Sequence, residues 1–150
     1  MRALTVRQPW AWAIVHGGKD VENRSRNIAG TYRGPVAIHA GKHRPAGWTD
    51  LGFMRALRAV FHIDAPETTP LHRGHIIGIV DLVDVHPEHW YSQPSCPCES
   101  DWAETNTYHL VLANPRPLTA PIPCRGRLGL WDTPDETATA LAAALEEVRT

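Results

Sequence analysis

Residues 7–26, near the start of the chain, constrain the fold more than any other segment. Their apolar part has helical spacing, and Pro9 suits the first turn of a helix, where its missing N–H is no loss. We therefore predict a helix over 8–16. Gly17 and Gly18 follow directly and are expected to end it.

Three polar side chains follow the glycine pair at a spacing that brings them together. If residues 21–28 form a strand, alternate side chains share a face, so Glu22 and Arg24 point the same way. Lys19 then lies beside them at the start of the strand. The pattern predicts a cluster of one carboxylate and two cations that could hold a ligand.

These residues resemble the motif of the ASCH domain, G-x-K-x-x-E-x-R, which is matched in full by Gly17, Lys19, Glu22 and Arg24. The resemblance continues through Pro35–Ala40, Gly74–Val85 and Tyr108–Trp131, which are similar to later strands of the family. It implies an α+β fold, a PUA-like small mixed β-barrel flanked by helices.

The patterns along the chain predict the other elements. Strands are expected over 2–6, 21–28, 35–39, 75–85, 108–113, 118–124 and 127–131, and helices over 8–16, 48–61 and from 133 onward. Gly78 suggests a bulge or a close backbone approach, and residues 114–117 a turn. Thr133–Glu136 matches a capping box. We expect an ASCH domain over 1–132 and a C-terminal helix over 133–150 packed on it.

Charge is distributed unevenly, although the formal net charge is only −1. The first 62 residues hold ten basic and three acidic side chains, and the remainder holds five basic and thirteen acidic ones. Phosphates respond to local potential rather than to net charge, so nucleic acid is not excluded as a partner. The basic half contains the motif.

Sequence composition indicates where the protein is located and whether it forms disulfide bonds. The start lacks a signal-peptide pattern, and no run of ~18 apolar residues occurs, so we expect a cytoplasmic protein that does not enter membranes. Three cysteines do not form a disulfide framework. The sequence carries no indication of the oligomeric state.

A zinc site has to be considered because cysteine and histidine cluster in one region. The candidates are His86, His89, Cys96, Cys98 and Cys124. Cys-Pro-Cys lacks the two-residue gap of common zinc motifs, and finger or ribbon spacings are absent. We therefore expect no metal and no cofactor.

The first functional hypothesis is a binding module for nucleic acid, RNA or DNA, or for a modified nucleoside. Lys19 and Arg24 would hold a phosphate or a base edge, and Glu22 would accept hydrogen bonds from a base amino group. Trp10 and Trp12 cannot share a helix face, so one of them is expected to face the cleft. The expected binding residues are Gln8, Trp10, Lys19, Glu22, Arg24, Arg26 and His39.

The second hypothesis is an enzyme, because the resemblance includes a branch that removes the acetyl group from 4-acetylcytidine with a lysine and a threonine nucleophile. Lys19 matches that lysine, but the threonine position is Glu22, and a carboxylate cannot replace a hydroxyl in forming an ordinary acyl ester. Water attack with Glu22 as general base and Lys19 assisting stays open. A small ribonuclease using Lys19, Glu22 and His39 is a further alternative.

A third hypothesis is a protein-interaction domain with an unused cleft. A cleft blocked by Trp48 or by the loop near Trp90 would indicate it. We favour the binding module.

Overall fold

The computed structural model describes residues 1–88 and 97–149. Its elements in chain order are β1 (Arg2–Val6), α1 (Trp10–His16), β2 (Val21–Arg24), β3 (Gly34–Ala40), α2 (Asp50–Phe61), β4 (His75–Pro87), β5 (Tyr108–Pro123), β6 (Leu130–Asp132) and α3 (Asp135–Arg149).

In the described part of the chain, six strands form one sheet in the order β2-β5-β4-β3-β1-β6. β1 and β3 run parallel, and the other neighbouring pairs are antiparallel. The sheet curls into a half-barrel with helices against it, which confirms the predicted α+β class.

Alternate residues of the central strands are buried on opposite faces of the sheet. Leu4 and Ile38 pack on one face with Val15 of α1, in a cluster that the helix covers. Ala3 and Ala37, their neighbours along the strands, belong to a cluster on the other face. Because side chains alternate along a strand, each central strand contributes to two cores.

Two further helix contacts complete the packing. The side of α1 that faces away from the sheet packs Trp12 against Met54 and Leu57 of α2. Leu141 of α3 is fully buried in the cluster that contains Trp131. The C-terminal helix thus lies against the sheet, while the division of the chain at residue 132 stays a prediction.

The end of β2 and the start of α1 both differ from the prediction, and at each place a side chain, Asn27 or Gln8, bonds to nearby backbone nitrogens. β2 ends at Arg24 rather than at Ile28, since Oδ1 of Asn27 accepts from the backbone nitrogens of Ala29 and Gly30 and turns the chain. α1 begins at Trp10 rather than at Gln8.

The predicted turn over 114–117 is wrong, because β5 continues through it as a bulged strand. The register between β4 and β5 shifts between Ile79 and Asp81, opposite this segment. Both Asn114 and Arg116 bond to the Asp81 carboxylate, at 2.9 and 2.6 Å, which holds the irregular backbone in the sheet. The turn-forming sequence therefore produces a β-bulge within one continuous strand.

The last strand is also shorter than predicted and covers only Leu130–Asp132. The helix after it starts near the predicted place, but Oγ1 of Thr133 is buried without a hydrogen-bond partner among the described residues, so the predicted capping-box bond is not formed. In the described ranges, no helix combines the length and apolarity needed to cross a membrane.

The predicted close approach at Gly78 is confirmed. A Cβ at this position would lie 2.6 Å from Cγ1 of Val15 and 3.1 Å from the carbonyl oxygen of Arg116. Glycine is therefore what lets α1 pack directly on β4.

We expect Gly78→Ala to lower the free energy of unfolding by about 1–3 kcal/mol, because the added methyl overpacks the helix–sheet contact. Denaturant unfolding measures the loss. In a Val15→Ala background the same substitution should cost clearly less, since the nearest atoms are gone. An equal cost in both backgrounds would contradict this contact.

Candidate functional site

Lys19 is unusual because its charged group is buried. The residue is 5% exposed, its Nζ donates to the Val21 carbonyl, and it lies 3.6 Å from Oε2 of Glu22. Burial lowers the pKa of Lys19 from its ordinary value, while the charges of Glu22, Glu104 and Asp20 act in the opposite direction. A buried cation beside one carboxylate forms the base of the site.

Glu22 stands between two cations. Its Oε2 faces Lys19, and its Oε1 lies 3.1 Å from Nε of Arg24. Nη2 of Arg24 in turn donates to the Thr5 carbonyl of β1 at 2.7 Å. Glu22 and Arg24 thus share a face, as their spacing predicts, and the motif forms a chain of alternating charges.

Three aromatic rings line a pocket of about 220 Å³ beside Lys19. Phe61 and Trp102 stack with their centroids 3.8 Å apart, and Trp10 stands nearly perpendicular to both at 6.4 Å. Nζ of Lys19 is 5.9 Å from the Trp10 ring centroid and 5.7 Å from that of Trp102, within cation–π range. The volume is below the roughly 300 Å³ at which pockets for drug-sized ligands begin, so it suits one planar group.

The loop over 97–107 supplies one side of this pocket, and Asn23 fastens it to β2. Nδ2 of Asn23 donates to the Trp102 carbonyl at 2.9 Å. Oδ1 of Asn23 accepts from the Glu104 backbone nitrogen at 3.0 Å and from Oγ1 of Thr107 at 3.3 Å. The position of Trp102 thus depends on a residue inside the family motif.

A wider groove of about 460 Å³ adjoins the pocket, and Trp10, Glu22 and Asn23 line both. Arg24 lines the groove as well. Three exposed cations stand along it: Arg7, Lys42 and Arg127. Within the described part of the chain, none of the three has an ion-pair partner.

Of the predicted site residues, the structure brings Trp10, Lys19, Glu22 and Arg24 together. It also resolves the choice between the two helix tryptophans, because Trp10 lies at the pocket and is 39% exposed, whereas Trp12 is 8% exposed and packs in the core.

Gln8, Arg26 and His39 line neither the pocket nor the groove. Gln8 is buried and bonds at 2.8 Å to the His72 carbonyl and at 3.0 Å to the Trp12 backbone nitrogen, so it supports the start of α1. Arg26 is exposed beyond the end of β2.

His39 lies in the sheet beside a different cavity. Its Nε2 is 2.9 Å from the Cys124 carbonyl, and its ring meets Trp131 edge-on at 5.9 Å. Burial lowers the pKa of His39, which favours the neutral ring. The cavity that His39 lines includes neither Lys19 nor Glu22, so these three are not assembled as the ribonuclease alternative requires.

Among the residues that sequence analysis missed are two aromatic rings of the pocket, Phe61 and Trp102, and the three exposed cations of the groove, Arg7, Lys42 and Arg127. Phe61 fits the apolar stripe of α2, so its spacing predicts a core residue. The excess of basic residues before residue 62 includes Arg7 and Lys42, but Arg127 belongs to the acidic part of the chain and carries no sequence signal for this role.

Two other expectations concern a metal site in the cysteine-rich region and tryptophans that would block the cleft. His89, Cys96 and Trp90 lie outside the described residues. Cys124 lies in the cluster beneath α3, with its Sγ 3.9 Å from Oγ1 of Thr137. Trp48 stacks on Phe53 and does not line the pocket, so it does not block it.

We expect Glu22→Gln to destabilise the protein by about 3 kcal/mol at neutral pH, because it leaves the buried Lys19 charge uncompensated. Loss of the carboxylate also lowers the Lys19 pKa further. Unfolded lysine titrates near about 10.4, so stability should recover as pH rises from the folded pKa towards that value.

Denaturant unfolding between pH 7 and 10 measures both effects. Asp132→Asn is the control, because it removes an exposed pair with Arg2 at 3.5 Å and should cost less than about 1 kcal/mol. Equal losses in the two variants would rule out a special role for the buried pair.

Comparisons with known proteins place the chain in a family. The ASCH domain model matches residues 4–122. Human activating signal cointegrator 1 is 28% identical over 130 residues, and its mouse counterpart is 27% identical over the same length. Each match covers 85% of this chain but only 21% of the relative, so the chain spans about a fifth of the length of these relatives.

Solved structures of an ASCH protein from Zymomonas mobilis share the fold. One of them, a point mutant, gives a TM-score of 0.55 at 16% identity and covers 95% of this chain and 96% of its own. Another gives a TM-score of 0.51 at 16% identity, with 95% and 93% covered. The chain therefore belongs to the ASCH domain family, which is PUA-like and linked to RNA binding.

Proposed function

We propose that this protein binds single-stranded nucleic acid, with RNA as the preferred form, and holds one unpaired or modified base in the aromatic pocket. The flanking phosphates lie in the basic groove. The observation that carries the proposal is the adjacency of these two cavities, which share Trp10, Glu22 and Asn23. A base and its phosphate are joined by one sugar, so their sites have to adjoin.

Recognition of the base rests on stacking and on hydrogen bonds. Trp10 stands at the boundary of pocket and groove with part of its ring exposed, which gives a base a surface to stack on. Glu22 can accept a hydrogen bond from an exocyclic amino group. A pocket this small admits a single ring system, which requires an unpaired base.

Phosphate binding rests on the groove rather than on Lys19. Lys19 is buried beside Glu22, so its charge is compensated before any ligand arrives, and Arg24 is held between Glu22 and the Thr5 carbonyl. Arg7, Lys42 and Arg127 are exposed along the groove and can take phosphate oxygens directly. These three are therefore expected to determine how binding depends on salt.

We expect Trp10→Ala to raise the Kd for short single-stranded RNA about tenfold, since stacking on one aromatic residue contributes about 1–3 kcal/mol per base. The salt dependence should stay the same. Fluorescence anisotropy with a labelled oligonucleotide measures both. Trp48→Ala removes a tryptophan that lines neither cavity and should leave the Kd unchanged.

Arg127→Ala, in contrast to Trp10→Ala, should change the salt dependence of binding. The slope of log K against log salt should become shallower by about 0.7 for each lost phosphate contact. The control is Arg55→Ala, which removes an exposed arginine of α2 that contacts Glu67. This substitution should leave the slope unchanged. The proposal fails if the wild-type protein binds neither RNA nor DNA, or if Trp10→Ala and Trp48→Ala bind equally well.

A second candidate is an amidohydrolase acting on an acylated cytidine, and the buried Lys19 is the observation that favours it. A desolvated lysine with a lowered pKa, next to a carboxylate, is typical of catalytic sites. Against it, both oxygens of Glu22 already contact cations, so an attacking water has to compete with Lys19 and Arg24 for them, whereas a hydrogen bond from a base amino group requires no proton transfer. Binding is therefore the better-supported function.

Incubation with 4-acetylcytidine, followed by chromatography for cytidine, tests the enzyme directly. We expect the nucleoside to stay intact. Cytidine release that disappears in both Lys19→Met and Glu22→Gln, but not in Lys42→Met, would instead establish the hydrolase.

A further inference from the structure

Two histidines and a cysteine meet at one end of the sheet. His86 on β4 and His109 on β5 are directly paired across the strands, and Cys98 comes from the loop before β5. One possible ligand atom from each residue lies within 4.8 Å of the other two. The argument against a metal in the sequence analysis did not consider His109. This residue joins the group only because β4 and β5 pair.

The distances fit a tetrahedral transition metal. Zinc bonds of about 2.3 Å to sulfur and about 2.0–2.1 Å to nitrogen place the two ligand atoms about 3.6 Å apart at the tetrahedral angle. Sγ of Cys98 lies 3.7 Å from Nδ1 of His109. The rings of His86 and His109 are 5.2 Å apart and nearly perpendicular. The remaining ligand atoms lie within 4.8 Å of one another, so reaching the tetrahedral separations requires shifts of at most about 1.5 Å.

The outer contacts of both histidines are those that metal-bound histidines make. Nδ1 of His86 lies 2.8 Å from the Asp84 carboxylate. Nε2 of His109 lies 2.7 Å from the Glu104 carbonyl and 3.2 Å from the Glu88 carboxylate, and its Nδ1 is the nitrogen that faces Sγ of Cys98. A carboxylate or carbonyl on the far nitrogen fixes the tautomer and orients the ring towards the metal.

We propose that His86, Cys98 and His109 bind a zinc ion. Thiolate and imidazole ligands select zinc among the common divalent ions and disfavour magnesium and calcium, which prefer oxygen. Binding displaces the proton of the Cys98 thiol to solvent, so the thiolate forms the bond to the metal. The described residues supply three ligands, and water or another group takes the fourth position.

The metal would link the sheet to the wall of the pocket. The loop over 97–107 begins at the Cys98 ligand and carries Trp102 and Glu104, both of which line the pocket. The Glu104 carbonyl also bonds to His109. Together with Asn23 at the other side, the zinc fixes the loop at two places, so metal binding is expected to stabilise the pocket. The zinc site does not itself depend on the proposed nucleic-acid binding.

Metal binding can be measured on the full chain without any nucleic acid. Protein stripped with a chelator should bind one Zn²⁺ per chain in a competition titration. Substitution with Co²⁺ should give a thiolate-to-cobalt charge-transfer band and the visible spectrum of a tetrahedral site. Zinc should also protect residues 97–107 against backbone hydrogen exchange.

Variants distinguish this site from adventitious binding. Cys98→Ser should abolish the charge-transfer band, whereas Cys124→Ser, at the other described cysteine, should retain it. Asp84→Asn should weaken zinc binding about 10- to 100-fold through the orientation of His86. Because His109 is fully buried and its loss threatens folding, Cys98 and Asp84 are the informative positions.

Two results would overturn the proposal. One is binding of less than one zinc per chain at micromolar concentrations, and the other is equal binding by the wild type and Cys98→Ser. Failure of the RNA titrations, in contrast, would leave the zinc site standing, so the two proposals are tested separately.

Discussion

The buried ammonium group of Lys19 is the constraint on which the site depends. A charge removed from water costs several kcal/mol unless other groups compensate it. Here the compensation starts at Glu22 and extends to Arg24, which donates to the Thr5 carbonyl of β1. Three strands separate β2 from β1 in the sheet order. One buried charge therefore leads to a contact across the curl of the half-barrel, and the motif fixes the shape of the sheet as well as the floor of the pocket.

Local features of the fold could be predicted from sequence, whereas features that depend on strand pairing could not. Gly78 and the shared face of Glu22 and Arg24 follow from conformation and from alternation along a strand, and both are found as predicted. Arg127 and His109 have no local signal, because their roles arise from neighbours far away in the chain. The turn predicted near Asn114 failed for the same reason, since Asp81 on the neighbouring strand holds that segment in the sheet.

The loop over 97–107 shows how the two proposals share one scaffold. Asn23 holds its centre through backbone hydrogen bonds, and His109 holds the Glu104 carbonyl from the other side. Asn23 and His109 are themselves paired between β2 and β5. The loop is thus attached to adjacent positions of the sheet, which places Trp102 against Lys19 with little freedom. A metal at Cys98 would add a bond where the loop begins, and that bond opposes its detachment from the sheet.

The charge arrangement separates affinity from selectivity. Lys19 and Glu22 neutralise each other in the free protein, and the carboxylates of Asp101 and Glu104 also line the pocket, so the pocket does not add to the long-range attraction of a polyanion. The exposed cations of the groove provide that attraction, because they can contact any phosphate regardless of sequence. The buried pair can then discriminate between bases, because a base with an amino group can donate a hydrogen bond to Glu22 that a base without one cannot make. A rigid pocket without net positive charge beside a basic groove is therefore suited to selecting one base among many bound strands.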